Sequence, residues 1–143
     1  LDLSHRLPGP MAGKVLADLG AKVIKVEDEK FKDPFIQGLF AEMDPSFPHW
    51  YEELNSCKQI LRIDFKSSEA KESLRELVAK ADGIIMGLPP KVRIALGVDQ
   101  ESLEKLNRPR NRRSAIFTCC RNFIWPQGRN RFISRSTQGP SNW

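Results

Sequence analysis

The residues best able to do chemistry in this chain cluster in its first 66 positions. Ser4-His5-Arg6-Leu7-Pro8-Gly9-Pro10 precedes a helical pattern, and a strand closing on Glu27 follows it. Strand, turn, helix, strand and acid is the outline of a nucleotide-binding unit: a helix N-terminus faces phosphate and the acid meets ribose hydroxyls. Gly9 would let backbone approach a ligand closely, or serves only the geometry of the helix start. The turn lacks the glycine triplet of a dinucleotide fold, so an NAD site is not expected, and Glu27 reads as a solvated strand-end charge. Asp64 and Lys66 stand at the end of a later strand, where Asp64 reads as a strand-end partner and not as a catalytic acid. His5 and His49 have no metal-ligand spacing and each reads as solvated, so no metal site is expected. Cys57 reads as a small, unreactive residue, and the adjacent Cys119 and Cys120 make a poor ligand set.

Those residues need elements to position them. Leu1-Asp2-Leu3 suits the end of a buried strand, and Pro10 suits the first helical position, where its missing N–H is not needed. Met11, Val15, Leu16 and Leu19 form one apolar stripe of the kind a helix turns to a core. Gly20 is a helix stop and Lys22 to Val26 a second strand. A polar stretch rich in proline and aromatics runs to about Lys58, too long for a simple connection. From Ile60 to Phe65, Leu61, Ile63 and Phe65 alternate onto one face. Ser67 or Ser68 caps the next helix, in which Ala70, Leu74, Leu77, Val78 and Ala81 recur at helical spacing and Glu76 supports Lys80. Gly83 to Met86 is a short buried strand, followed by short helices from Pro90 to Ala95 and from Gln100 to Leu106. Strand alternating with helix predicts an α/β fold: a doubly wound, Rossmann-like parallel sheet with flanking helices.

The 143 residues are enough for one ordinary core. The net charge of +5 resides entirely in the tail. Residues 1–107 hold 15 Lys and Arg against 18 Asp and Glu, whereas residues 108–143 hold eight Arg and no Lys, Asp or Glu. The chain therefore divides into a segment 1–107 and an irregular, Arg-rich tail 108–143. Loss of three residue types at one point suits a change of codon phase, so the tail reads first as frameshifted sequence. A disordered basic linker and an arm placing Arg on phosphates and Phe or Trp on bases are the other readings. Nucleic acid is not the expected partner. No run of 18 apolar residues is present, so no membrane span is expected. Three cysteines without a pairing pattern suit a reducing cytoplasm. The first residue is Leu1, which suggests a missing or unusual start.

The stretch "LDLSHRLPGPMAGKVLADLGAKVIKVE" resembles the opening of family III CoA-transferases, which include formyl-CoA transferase and α-methylacyl-CoA racemase. That family starts with a strand, a turn ending Ala-Gly-Pro, a helix, then Leu-Gly-Ala-x-Val-Ile-Lys-Val-Glu. "LNSCKQILRIDFKSSEAKESLRELVAKADGIIM" is similar to its Asn-x-x-Lys strand closing on Asp-x-Lys and to the helix and strand after it. "ALGVDQESLEKLNRP" resembles its Leu-Gly and Leu-x-x-x-Asn-Pro segment. The resemblance covers residues 1 to about 109. It implies coenzyme A, as an acyl-CoA substrate, across the carboxyl ends of the sheet. Backbone of the first turn, here with Gly9, and of the strand ending Ile63, Asp64, Phe65 and Lys66 would touch it. The Lys66 ammonium would meet a phosphate, or is simply a solvated lysine before a helix.

The resemblance also implies a mechanism. A carboxylate attacks the acyl-CoA thioester, a mixed anhydride forms as the thiolate leaves, and CoA passes to a second carboxylic acid. Departures from the family pattern bear on this. Asp28 stands where the family often has an arginine, and Pro8 stands for the alanine of Ala-Gly-Pro. The family's Glu-Asn-Phe turn is Met86-Gly87-Leu88, with Lys91 or Arg93 the nearest basic groups and Ala95 at a basic position. No acid follows Glu104, so neither the nucleophilic aspartate nor the racemase His and Asp pair has a counterpart, and no catalytic residue is assigned. The expectation is an incomplete N-terminal part of a CoA-transferase or racemase, or a CoA-binding module without catalysis. Family members form interlocked homodimers in which later chain returns to this domain. This chain is expected to lack that return and to expose a sheet edge and apolar surface.

Overall fold

The computed structural model describes residues 1–106 and 115–118. Five strands lie in the order β3-β2-β1-β4-β5: β1 (Asp2–Leu3), β2 (Ile24–Asp28), β3 (Gln59–Ile63), β4 (Gly83–Met86) and β5 (Ala115–Thr118). Every neighbouring pair is parallel. Helix α1 (Pro8–Asp18) joins β1 to β2, and α2 (Leu39–Met43) with α3 (Phe47–Asn55) lies between β2 and β3. Helix α4 (Ser68–Lys80) crosses to β4, and α5 (Pro90–Leu96) and α6 (Gln100–Leu106) precede β5. Helix α1 contacts α3, and α4 contacts α6. Right-handed crossovers in opposite directions from β1 place these pairs on opposite faces. The doubly wound α/β sheet read from the sequence is the observed one.

The two faces differ in chemistry. On one, Leu3, Val26, Ile84 and Met86 pack with Leu74 and Val78 of α4, with Leu96 and Val98, and with Leu103 of α6. Residues Leu61, Ile63 and Ala81 pack at its rim, and Ala70, Leu74 and Val78 are the buried stripe of α4, as their spacing predicts. Ser67 is the cap of α4, accepting from the Ala70 N–H at 3.0 Å, and Glu76 pairs with Lys80. Gly20 ends α1 with positive φ while its N–H donates to the Ala17 carbonyl.

The other face is polar and buried. Asp2, Lys25 and Glu27 project from β1 and β2 and are 0%, 0% and 2% exposed. The Lys58 ammonium donates to Asp2 Oδ2 at 2.8 Å, the Pro10 carbonyl at 2.7 Å and Asn55 Oδ1 at 2.9 Å. Ser4 Oγ donates to the other Asp2 oxygen. Lys25 donates to the Ser4 carbonyl at 2.6 Å and stands 3.8 Å from Glu27, which accepts from the Tyr51 hydroxyl at 2.8 Å. Arg62 approaches the second Glu27 oxygen at 3.4 Å. Glu27 is therefore not a solvated strand-end charge, because α3 brings Tyr51 over it.

Helix α1 meets this polar face with Gly9, Pro10 and Gly13, its buried residues. A Cβ on Gly13 would stand 2.9 Å from Asp2 Oδ2 and 3.0 Å from Lys58 Nζ. The expectation for Met11, Val15, Leu16 and Leu19 is corrected: their stripe points to solvent. The long stretch before Lys58 contains α2 and α3, and there Phe35, Tyr51 and Leu54 form a second small core beside Phe40 and Phe47. Strand β2 begins later than read, since its partner register runs Ile24↔Gln59 to Asp28↔Ile63. Strand β3 stops before Asp64, whose carbonyl accepts the Ser67 N–H in a turn. Strand β5 lies in the tail, where no alternation was read; its four residues pair with β4 from Gly83↔Ala115 to Met86↔Thr118. The rest of the tail, including Cys119 and Cys120, lies outside the described residues. Among the described residues no helix is long and apolar enough to cross a membrane.

Lys58→Met leaves the Asp2 carboxylate buried with one partner fewer. It is expected to lower unfolding free energy by about 3–5 kcal/mol in urea titration. Adding Asp2→Asn should recover part of that loss, since the uncompensated charge is then gone.

Candidate functional site

In open parallel sheets ligands bind beyond the carboxyl ends of the strands. Here four loops meet at that edge: the turn after β1 (4–7), the loop after β2 (28–33), the turn after β3 (64–67) and the loop after β4 (87–89). They are tied to one another. The Arg6 N–H donates to Asp33 Oδ2 at 2.9 Å, while Asp33 Oδ1 accepts from the Phe35 N–H at 3.0 Å. The Glu29 N–H donates to the Ile63 carbonyl at 3.1 Å, and Lys30 Nζ donates to Asp64 Oδ2 at 2.6 Å. Gly87 presses on Ser4, where a Cβ would stand 3.0 Å from the Ser4 Cα.

Gly9 lies at the first turn of α1, buried against Ser4, where a Cβ would overlap the serine side chain. Packing alone thus requires glycine there. Arg6 adopts φ 65°, a left-handed conformation uncommon for a side chain of its size. Its N–H is held by Asp33 and its guanidinium lies 5.8 Å from the Phe40 ring centre. Leu7 precedes α1 with no side-chain acceptor, and no acid lies in the first turn. Pro8 and Pro10 carry no N–H and the Met11 N–H donates to the Leu7 carbonyl at 2.9 Å, so the Gly9 N–H is the one group the first turn of α1 leaves for the edge.

The four residues singled out where β3 ends, Ile63 to Lys66, divide by direction. Ile63 and Phe65 turn into the apolar core, while the Ile63 carbonyl accepts from the Glu29 N–H and the Asp64 carbonyl from the Ser67 N–H. Asp64 is a strut: Lys30 and the Lys66 N–H, at 2.9 Å, take its two oxygens and hold its carboxyl below the usual range. The same contact raises Lys30 above the usual lysine value. Lys66 is exposed at the start of the α4 turn. Lys91 is exposed in the first turn of α5, following the β4 loop, while Arg93 is committed to the Leu88 carbonyl at 2.5 Å. The structure thus gathers Lys30, Asp64 and Lys66 at one end of the edge and Gly9 beside Ser4 and Gly87 at another. Lys91 stands on α5, after the β4 loop.

His5 is corrected from solvated to partly buried. Its ring meets Phe31 edge-on at 5.9 Å, and its Nε2 is closed to solvent with no hydrogen-bond partner among the described residues. Burial first, and Lys25 second, lower its pKa below 6.5, against the opposing pull of Asp33, Glu27 and Asp2. Cys57 is exposed. Among the described residues no three His, Cys, Asp or Glu side chains converge to hold a metal ion. Sequence reading did not single out Lys30, Arg6 or Asp33. Their partners lie 27 to 34 residues away, and the one available signal was Lys30 following a strand end.

The chain is thus a doubly wound parallel α/β sheet with exposed lysines at its carboxyl edge. The profile of CoA-transferase family III matches residues 1–110, so the chain belongs to that family. It is 34% identical over 114 residues to a succinate–glutarate CoA-transferase of Agrobacterium fabrum, covering 75% of this chain and 28% of that protein. It is 31% identical over 107 residues to a formyl-CoA:oxalate CoA-transferase of Bradyrhizobium diazoefficiens, covering 75% of this chain and 25% of that one. A solved CAIB/BAIF family protein from Brucella suis superposes with a TM-score of 0.58 at 32% identity, over 73% of this chain and 28% of that one. The structure of Rv3272 from Mycobacterium tuberculosis gives 0.60 at 27% identity, over 82% and 30%. The chain spans roughly a quarter to three tenths of the length of these relatives.

Because the folded pKa of His5 lies below 6.5, the unfolded chain takes up its proton first as pH falls. The stability this neutral ring contributes is complete above pH 6.5 and is lost on acidification below it. An NMR titration should show the His5 ring protonating below pH 6.5. His5→Gln should flatten the fall in urea midpoint between about pH 6.5 and 5.

Proposed function

We propose that the carboxyl edge of this sheet binds coenzyme A or its acyl thioester, as the CoA-holding part of a family III CoA-transferase. The observation that carries this is the edge itself in a member of that family: exposed Lys30 and Lys66 bracketing Asp64, with the Gly9 N–H at the start of α1. Phosphates of CoA are the anions such cations and N–H groups take. Gly9, Ile63, Asp64 and Phe65 offer backbone, Lys66 a charge-assisted contact, and Lys91 a further cation from the α5 turn.

Catalysis by these 143 residues alone is not part of the reading. The acids at and beneath the edge are engaged: Asp2 by Lys58, Glu27 by Tyr51, Asp28 by the Lys30 N–H, Asp33 by two backbone N–H groups, and Asp64 by Lys30. Glu29 is exposed to water, without the shelter a carboxylate needs to attack a thioester. The same reading puts the protein with acyl-CoA in the cytoplasm.

Calorimetry should show saturable CoA binding, weakened about fivefold by Lys66→Ala, the scale of one exposed charge-assisted contact. Absence of heat at millimolar CoA would sink the proposal. Incubation with succinyl-CoA or formyl-CoA and oxalate should give no transfer; turnover by the purified chain would show that a nucleophile has been missed.

A further inference from the structure

Phe31 stands 60% exposed in the loop after β2, at the carboxyl edge of the sheet. Further along the same stretch Phe35 enters the small core beside Phe40 and Phe47, so an apolar place for a ring exists nearby that Phe31 does not take. The loop holding it is anchored on both sides. Before it, the Lys30 N–H donates to Asp28 Oδ1 at 3.0 Å and Lys30 Nζ donates to Asp64 at 2.6 Å. After it, the buried Asp33 accepts from the Arg6 and Phe35 N–H groups. His5 braces the ring itself, the two planes 87° apart and their centres 5.9 Å apart. A contact at right angles takes at most one face of a phenyl ring, and among the described residues no other ring lies against Phe31. A flat aromatic group can therefore lie on the face that is left.

We propose that Phe31 is the adenine platform of this chain: the base of a bound coenzyme A stacks on its free face, and the exposed Lys30 and Lys32 that adjoin it in the loop supply charge for the phosphates of that nucleotide. This rests on the reading of the carboxyl edge as a CoA site and adds the residue that takes the base.

The chemistry of coenzyme A selects the group. Its one flat aromatic part is adenine, and its phosphates lie on and beside the ribose of that same nucleoside. A phenyl ring between two lysines in sequence is complementary to that half of the molecule. The acyl thioester stands a whole pantetheine arm away, where there is no charge for lysines to meet. Glu27 strengthens the choice. It occupies the place where a dinucleotide fold holds the ribose hydroxyls, but here it is 2% exposed and accepts from the Tyr51 hydroxyl. The base is then the part of the nucleoside left for this edge to grip.

The test is calorimetry of the full chain with CoA, together with proton NMR of the ligand. Wild type should shift the two adenine ring protons upfield as they enter the ring current of Phe31. Phe31→Leu keeps the bulk but has no π face. It should bind CoA about tenfold more weakly, the scale of one stacked base, and leave those protons unshifted in the bound ligand. Phe31→Trp should keep both the affinity and the upfield shift. 4′-Phosphopantetheine, which lacks the base, should behave alike with wild type and Phe31→Leu. AMP, which lacks the 3′-phosphate and the pantetheine arm, should bind more weakly than CoA. CoA affinity that is equal in wild type and Phe31→Leu overturns the platform and leaves the CoA site standing. An upfield shift that persists in Phe31→Leu overturns it too, as does an equal loss of phosphopantetheine affinity, which would report a disturbed loop. AMP binding as tightly as CoA would assign the ring to a free nucleotide and also overturns the proposal. A wild type that binds no CoA overturns the CoA reading of the edge and the platform together.

Discussion

The Lys58 ammonium organises half of this molecule. It reaches Asp2 on β1, the Pro10 carbonyl in the first turn of α1, and Asn55 at the end of α3, with its side chain fully buried. Burial pulls its pKa down, and Asp2 pulls the other way. A lysine taken out of water at this cost is tolerable because each of its three protons finds an acceptor. Directional bonds of this kind leave little freedom in where α1 sits on the sheet. The turn that begins α1 is therefore placed from below, by a buried group.

The same arrangement explains which parts of the fold were legible. Where a helix lies on the apolar face, periodicity reports burial directly: Ala70, Leu74 and Val78 of α4 are where their spacing puts them. Where the sheet is polar beneath the helix, the same rule inverts. The apolar side of α1 is outside, and its inside is glycine and proline. Glu27 was misread for a related reason. Alternation in β2 separates Ile24 and Val26 from Lys25 and Glu27, but it cannot say that Tyr51 will cover the charged pair. That cover depends on α3, hidden in a stretch whose prolines and aromatics resemble a loop. Pro48 sits in the first turn of α3, where proline is tolerated.

The carboxyl edge was legible to a similar degree. Glycine at position 9 and the Asp64-to-Lys66 turn could be placed from order and spacing, because each belongs to a strand end followed by a helix. What spacing could not supply was the cross-linking of the loops, Arg6 to Asp33 and Lys30 to Asp64. These pairs turn separate strand ends into one surface. Asp28, out of place for a phosphate-binding position, caps the Lys30 N–H and so helps set the residue that supplies positive charge next door.

The packing of Gly13 against Asp2 and Lys58 has a consequence for how such a chain can change over generations. A side chain at position 13 would occupy the space of the ammonium, an uncharged residue at position 58 would strand the carboxylate, and a longer acid at position 2 would press on the helix. Each single substitution passes through a damaged intermediate, while a matched set need not. Among descendants of this sequence, these three positions should change together or stay as they are.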